Sequence, residues 1–326
     1  MYVWHARIAL MCLAFSLCAQ NALSQGTADY PVRPLRIIVP FAPGSTTDTF
    51  TRAIGQHLST RLKQPAVIDN RPGASQLIAL EAVARSPADG YTLFLATQSG
   101  LVFLTGTRKS LPYDPVKDFA PITMMYESQL YLMVRPDTPV NSVKELLAWA
   151  KAQPGKFNYP SIGVGSTQHL AMEMFKTRAG IDLVHVPYKG SPQIQSAILS
   201  GEVQVVFDGA LSLPLVRNGK LRALGSSGTE RSQATPDLPT IREAGVPDFS
   251  ISSWFGLGAP AGVPRPIIDR LNHEVADYLR SPAGREKFAT FNVDLRPSTP
   301  EQMAERIRTE IPVYTKVMRA AGIEPE

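Results

Sequence analysis

A continuous apolar run, LRIIVP at Leu35–Pro40, gives way after a short loop to a helix-periodic stripe, and the unit then repeats. The stripe is Phe50, Ala53, Ile54, His57, Leu58 and Leu62, spaced for one face of a helix. A strand that is apolar throughout is one buried on both faces. Ala66–Asp69 reads as the next strand, Pro72-Gly73 as a turn, Leu77–Arg85 as a helix and YTLFLA at Tyr91–Ala96 as a third strand. Strands alternating with helices need right-handed crossovers, hence a parallel sheet with helices on its faces. The alternation restricts the chain to an α/β architecture.

Thr107–Pro121 breaks the pattern with a proline-punctuated loop, and the apolar runs of Ile122–Val134 then carry the chain into a second lobe. There Ser142 and Glu145 have the spacing of a capping box, opening a helix to about Lys151. A second βα series follows: a strand near Phe157–Ser161, a helix from Thr167 to Ala179 stopped by Gly180, a strand at Leu183–Pro187, a helix at Pro192–Ser200 and a strand at Val203–Asp208. Leu221–Ser226 reads as the return crossing. Trp254–Ala259, a helix at Pro264–Arg280 and a terminal helix at Pro300–Ala321 complete the first lobe, and Pro312 is expected to kink or divide that last helix. The expected fold is α/β and two-lobed, each lobe a mainly parallel sheet flanked by helices, with two hinge crossings. Residues 25–126 and 226–326 make lobe 1 and residues 127–225 make lobe 2.

The length of 326 residues suits two such lobes, each with its own core. Both cysteines, Cys12 and Cys18, fall in the apolar run from Ile8 to Ala19 that follows Arg7. The run is too short for a bilayer span of about 20 residues and reads as the core of a secretory signal peptide over residues 1–24, with Ala22-Leu23-Ser24 as a small-x-small cleavage site. Leu17 before Cys18 and Met11 before Cys12 do not offer the small residue of a lipoprotein signal. The exported chain then has no cysteine for a disulfide, a metal or a thiol nucleophile. Its net charge falls from +5 to +4 with the loss of Arg7. Basic and acidic residues are interspersed, which speaks against nucleic acid and leaves mild steering of small anions.

Two lobes enclose a cleft, and ligands favour such interfaces at the carboxyl ends of parallel strands. The loop Ala42, Pro43, Gly44, Ser45, Thr46, Thr47 and Asp48 lies between the first strand and first helix. Gly44 permits a tight turn and close backbone approach, and the helix start offers free N–H groups to a carboxylate or phosphate. Ser45 and Asp48 also have capping-box spacing, so Asp48 serves either a ligand or the backbone. The second lobe has a counterpart in Gly163, Gly165, Ser166, Thr167 and His169. His169 reads equally as a pocket residue or a structural one. Thr97, Gln98 and Ser99 follow the third strand, and Asp208 ends another, where it contacts a ligand or caps a turn.

Enzyme signatures are lacking. There is no Gly-x-Ser-x-Gly elbow and no Walker lysine, and Gln168 stands where a dinucleotide fingerprint needs its third glycine. His57, His169, His185 and His273 do not pair at metal-ligand spacing, so neither metal nor cofactor is expected. Trp254 and Phe255 read as core before pocket wall.

The segments YPVRPLRIIVPFAPGSTTD, NRPGA, SPADGYTLFLAT, LPYDPVKDFAPIT, HVPYKGS, VFD, GKLRALG, PDLPTIREAG, SSWFGLGAPAGVP and AAGIEPE, in this order, resemble the Bug (TctC-like) family of extracytoplasmic solute-binding proteins, which serve tripartite tricarboxylate transporters. The likeness covers essentially residues 30–326. It implies a periplasmic-binding-protein (Venus-flytrap) fold, a periplasmic location, a small carboxylate or dicarboxylate ligand, and large and small membrane subunits as partners. It implies ligand contacts from Ala42–Asp48 and Gly163–His169, with Thr97–Ser99 and Asp208 as weaker carry-overs. Ser45 departs from the second glycine usual in the family loop, and Ser75-Gln76-Leu77-Ile78-Ala79 from its glycine-rich run, which leaves ligand pose and preference open. The expectation is a monomeric binding protein without catalysis. A ligand-presenting sensor module, or a secreted enzyme acting on a carboxylate, are the alternatives.

Overall fold

The computed structural model describes residues 29–188 and 191–325. The expected signal peptide and both cysteines lie outside them. The first βα series is as patterned: β1 (Leu35–Val39), α1 (Thr46–Leu62), β2 (Ala66–Asn70), α2 (Leu77–Ala84) and β3 (Thr92–Thr97). Local chemistry sets the ends of α1. Ser45 Oγ accepts from the Asp48 amide at its start, and Lys63 takes the left-handed conformation at its end.

A long strand, β4 (Phe119–Gln129), runs from the first lobe to β5 (Tyr131–Val134) in the second. There follow α3 (Val143–Ala152), β6 (Asn158–Ser161), α4 (Thr167–Ala179), β7 (Val184–Pro187), α5 (Ser191–Ser200), β8 (Val205–Asp208) and β9 (Arg222–Ser226). The chain returns in β10 (Ser252–Pro260) and finishes with α6 (Arg265–Arg280), α7 (Pro282–Phe288), β11 (Asp294–Leu295) and α8 (Pro300–Ala320). The bounds of α4 match the sequence pattern because Ser166 caps its start and Gly180, at φ 62°, ends it. At α3 Ser142 caps the Glu145 amide, but the Glu145 carboxylate takes the Asn141 amide, so the reciprocal half of the box is displaced by one residue.

The first-lobe sheet has the order β11-β4-β10-β3-β1-β2. β1 pairs parallel with β2 and β3, while β10 is antiparallel to both β3 and β4. The second lobe pairs β8-β5-β9 antiparallel and β6-β7 parallel. β5 and β10 run against their neighbours as strands that enter or re-enter a lobe from the other lobe and not through a local crossover helix, and the short β11 also runs antiparallel, against β4.

Leu221–Ser226, expected as the return crossing, is instead strand β9, paired with β5 in the second lobe. The Ile241 amide then bonds Ser226, and Phe249 packs on Phe175 and Phe207 of that lobe. The chain enters the first-lobe sheet at Ser252. Residues 227–251 lack strand or helix periodicity, which hid their packing. Of the two outcomes expected at Pro312, division does not occur: α8 is one helix from Pro300 to Ala320 with Pro312 inside it.

One apolar core fills the face of the first-lobe sheet between β1 and α6, centred on Phe50, Leu93, Leu257 and Leu271. Another runs from the opposite face of that sheet, through Met303, Ile307, Tyr314 and Met318 of α8, to Phe175 and Phe207 in the second lobe. The C-terminal helix thus braces the hinge. No helix among the described residues is long and apolar enough to cross a membrane.

Candidate functional site

The hinge strands build the floor of the cleft by their two-residue alternation. Tyr126 stands opposite Phe255, and Ser128 opposite Ser253. These four line the interlobe cleft, together with Leu130. The intervening Trp254 and Glu127 face the other way. There Trp254 Nε1 donates to Glu310 Oε2 at 2.7 Å, and Arg306 binds Glu127, Glu310 and Ser252. This partly buried charge cluster ties both hinge strands to α8. It also explains why adjacent aromatics part company, Trp254 to the core and Phe255 to the cleft wall.

The first-lobe loop is held from behind by Asp48, whose side chain is 1% exposed. Its Oδ2 accepts from the Gly44 amide (2.8 Å) and Arg52 Nε (2.9 Å), and its Oδ1 from Asn70 Nδ2 (2.8 Å). Burial alone would raise this carboxyl, but the hydrogen bonds from Arg52, Asn70 and Gly44 outweigh it and hold the pKa below the usual range. Gly44 sits at φ +81°, with open space where a Cβ would point. Ser45 is occupied as the cap, its Oγ 3.2 Å from the Asp48 amide and from Thr47 Oγ1. Gly44, Thr46, Thr47 and Thr49 face the cleft.

In the second lobe the Gly165 amide donates to His169 Nδ1 at 3.2 Å, and Ser166 Oγ caps the His169 amide. The His169 ring stacks on His185 at 4.2 Å, and His185 Nε2 lies 2.7 Å from Ser161 Oγ. Burial first, and then the neighbouring His185, push His169 down to about 4, so it is neutral near pH 7. Thr167 Oγ1 meets Ser253 Oγ at 3.1 Å, across the lobes. Asp208 is buried at the cleft, its Oδ2 accepting from Ser212 Oγ at 2.5 Å. Burial raises its pKa, against the lowering effect of hydrogen bonds from Ser212, Gly209, Gln168 and Gln195.

The cleft has a volume of about 550 Å³. Of the residues singled out in the sequence, Gly44, Thr46, Thr47, Thr167 and Asp208 line it. Ala42, Pro43, Ser45 and Asp48 belong to the first loop, and Gly163, Gly165, Ser166 and His169 to the second, without lining the cavity. Thr97, Gln98 and Ser99 are engaged elsewhere. Gln76 bonds both Thr97 Oγ1 and Ser99 Oγ at 2.6 Å, and Gln98 Nε2 donates to Glu310.

Gln168 falls within the expected Gly163–His169 loop, and Ile162 and Gly209 adjoin expected residues; the unexpected contributors are the hinge residues above, Thr49, Ala210, Leu211 and the segment Thr290–Val293. Alternation along β4 and β10 was the available signal for the floor; nothing in the sequence marks 290–293, where Asn292 adopts a left-handed turn. No arginine, lysine or histidine is among the cleft-lining residues. Nor, among the described residues, do His, Cys, Asp and Glu gather in a group of three or more that would hold a metal.

Residues 50–323 match the family model described as the tripartite tricarboxylate transporter family receptor. Protein BugT of Bordetella pertussis is 37% identical over 295 residues, covering 90% of each chain. Among solved structures, R. palustris Rpa4515 with adipate superposes with a TM-score of 0.76 at 37% identity, covering 91% of this chain and 100% of its own. MatC (Rpa3494) from Rhodopseudomonas palustris with bound malate gives 0.70 at 30% identity, covering 88% and 99%. The strand-end loops and hinge floor described above thus belong to a chain of known kind: it is a member of the tripartite tricarboxylate transporter receptor family.

Proposed function

We propose that the protein is a periplasmic solute-binding protein. In this reading it captures a small carboxylate in the interlobe cleft and delivers it to the membrane subunits of a tripartite tricarboxylate-type transporter. The observation that carries the reading is the donor set of the cleft. The starts of α1 and α4 both border it, with Gly44, Thr46, Thr47 and Thr167 at the lining. Free amides at a helix start, backed by hydroxyls, suit an organic anion without a buried ion pair. The adipate and malate held by the two relatives of solved structure support the ligand class.

Function here is recognition without turnover. One lobe takes the carboxylate, the other closes about β4 and β10, and the closed form is presented to the membrane partner. We divide the chain at the hinge strands, with residues 127–251 as the second lobe, and assign residues 1–24 to an export signal. The protein acts as a monomer. Two results test the reading. Cell fractionation should find the mature chain in the periplasm. Deleting its gene should abolish uptake of the carboxylate that stabilises the purified protein in a thermal-shift panel; uptake that persists unchanged would count against a transport role.

A further inference from the structure

Among the described residues, four buried side-chain atoms have no hydrogen-bond partner: Gln98 Oε1, Tyr126 Oη, Ser226 Oγ and Thr235 Oγ1. Of these residues only Tyr126 lines the cleft. Its side chain is fixed. The ring stacks on Phe255 at 4.6 Å and 17° and lies 4.2 Å from Phe50, and the residue is 2% exposed. A rigid hydroxyl removed from water without a protein partner carries a desolvation cost that the fold alone does not offset. Burial pushes the phenol well above its ordinary value, so it is a neutral O–H and a competent donor.

We propose that Tyr126 contacts the ligand directly, donating its phenol hydrogen to an acceptor oxygen of the bound carboxylate compound. Phe255, half-buried at the cleft wall, offers its ring to the hydrocarbon part. The inference rests on the binding function above and sharpens it. The preferred ligand combines an oxygen acceptor placed over the hinge with an apolar body, the pairing that a buried phenol beside the Phe255 ring rewards.

The test compares the wild type with Tyr126→Phe, which keeps the ring stack, and with Ser226→Ala, which removes an unpartnered buried hydroxyl away from the cleft. Each mature protein, refolded from denaturant to strip ligand, is titrated calorimetrically with succinate, malate, adipate, citrate and benzoate, and melted without ligand. Tyr126→Phe should bind the tightest wild-type ligand about tenfold more weakly, with a melting temperature equal to or above wild type. Ser226→Ala should keep wild-type affinity. Binding by Tyr126→Phe within twofold of wild type would overturn the assignment while leaving the carboxylate function intact. A loss of several degrees by the ligand-free Tyr126→Phe protein would also overturn it, by giving the hydroxyl a role in the fold. A wild type that binds none of the five would overturn the carboxylate reading itself.

Discussion

Thr167 Oγ1 and Ser253 Oγ lie 3.1 Å apart, joining the first turn of α4 in the second lobe to hinge strand β10. Both residues line the cleft, so the relative placement of the lobes and the lining of the site share one contact. Thr167→Val keeps the shape of the side chain and removes the hydroxyl. Ligand affinity should fall about three- to tenfold, with a melting temperature within a few degrees of wild type, since a single partly exposed hydrogen bond contributes about 1 kcal/mol. Calorimetry and a melting curve on the same preparation check both halves.

Gly44 separates backbone conformation from ligand access. Its φ of +81° disfavours any side chain, and a β-branched one most, yet a Cβ there meets no protein atom within 4 Å. Gly44→Val should cost about 1–2 kcal/mol of stability from the left-handed strain and abolish measurable binding, because the added carbons occupy the approach to the loop amides. Gly44→Ala should retain more of both. Denaturant titration reads the first effect and calorimetry the second.

Asp48 holds the first loop without lining the cleft. Asp48→Ala leaves the Gly44 amide without its acceptor and removes one of the two acceptors of Asn70 Nδ2, and should destabilise the fold by about 2 kcal/mol, a figure that discounts the half-exposed Arg52. Because the folded carboxyl titrates below its ordinary value, its contribution is complete above the ordinary carboxylate range and is lost as pH falls through the lowered folded value. Urea midpoints measured from pH 6 to pH 3 should therefore drop less in Asp48→Ala than in wild type.

His169 gives a second acid limb with a different window. Its folded pKa is about 4, down from 6.5, so between those values the unfolded chain binds the proton more readily than the native one. Stability should fall as pH goes from 6.5 to 4. Protonation also removes the Nδ1 acceptor of the Gly165 amide, loosening the second loop. His169→Gln should flatten this limb in part, since stacked His185 is also depressed by burial. Melting temperatures across that range in wild type and variant measure the difference.

The elements of the fold were legible because each obeys a local rule: the apolar β1, the stripe of α1, and the Ser166 and Gly180 limits of α4. The site was legible where a loop itself meets the cleft, at Gly44, Thr46, Thr47 and Thr167. It was not legible where long-range pairing decides. Alternation along β10 puts Trp254 and Phe255 on opposite faces, but only the register against β4 tells which face is the cleft. Asp48 shows its cap spacing, yet its carboxyl serves Gly44 and, across the fold, Asn70. The loop after β3 reads like a ligand loop, but Gln76 from a separate turn takes up Thr97 and Ser99.

Calorimetric titration of the ligand-stripped mature protein with a carboxylate panel tests the central claim most directly. Saturable one-to-one binding of at least one small carboxylate, with the acid recovered unchanged, is the result expected of a cleft that recognises and does not react. Absence of binding across the panel, or turnover of the bound acid, would contradict it.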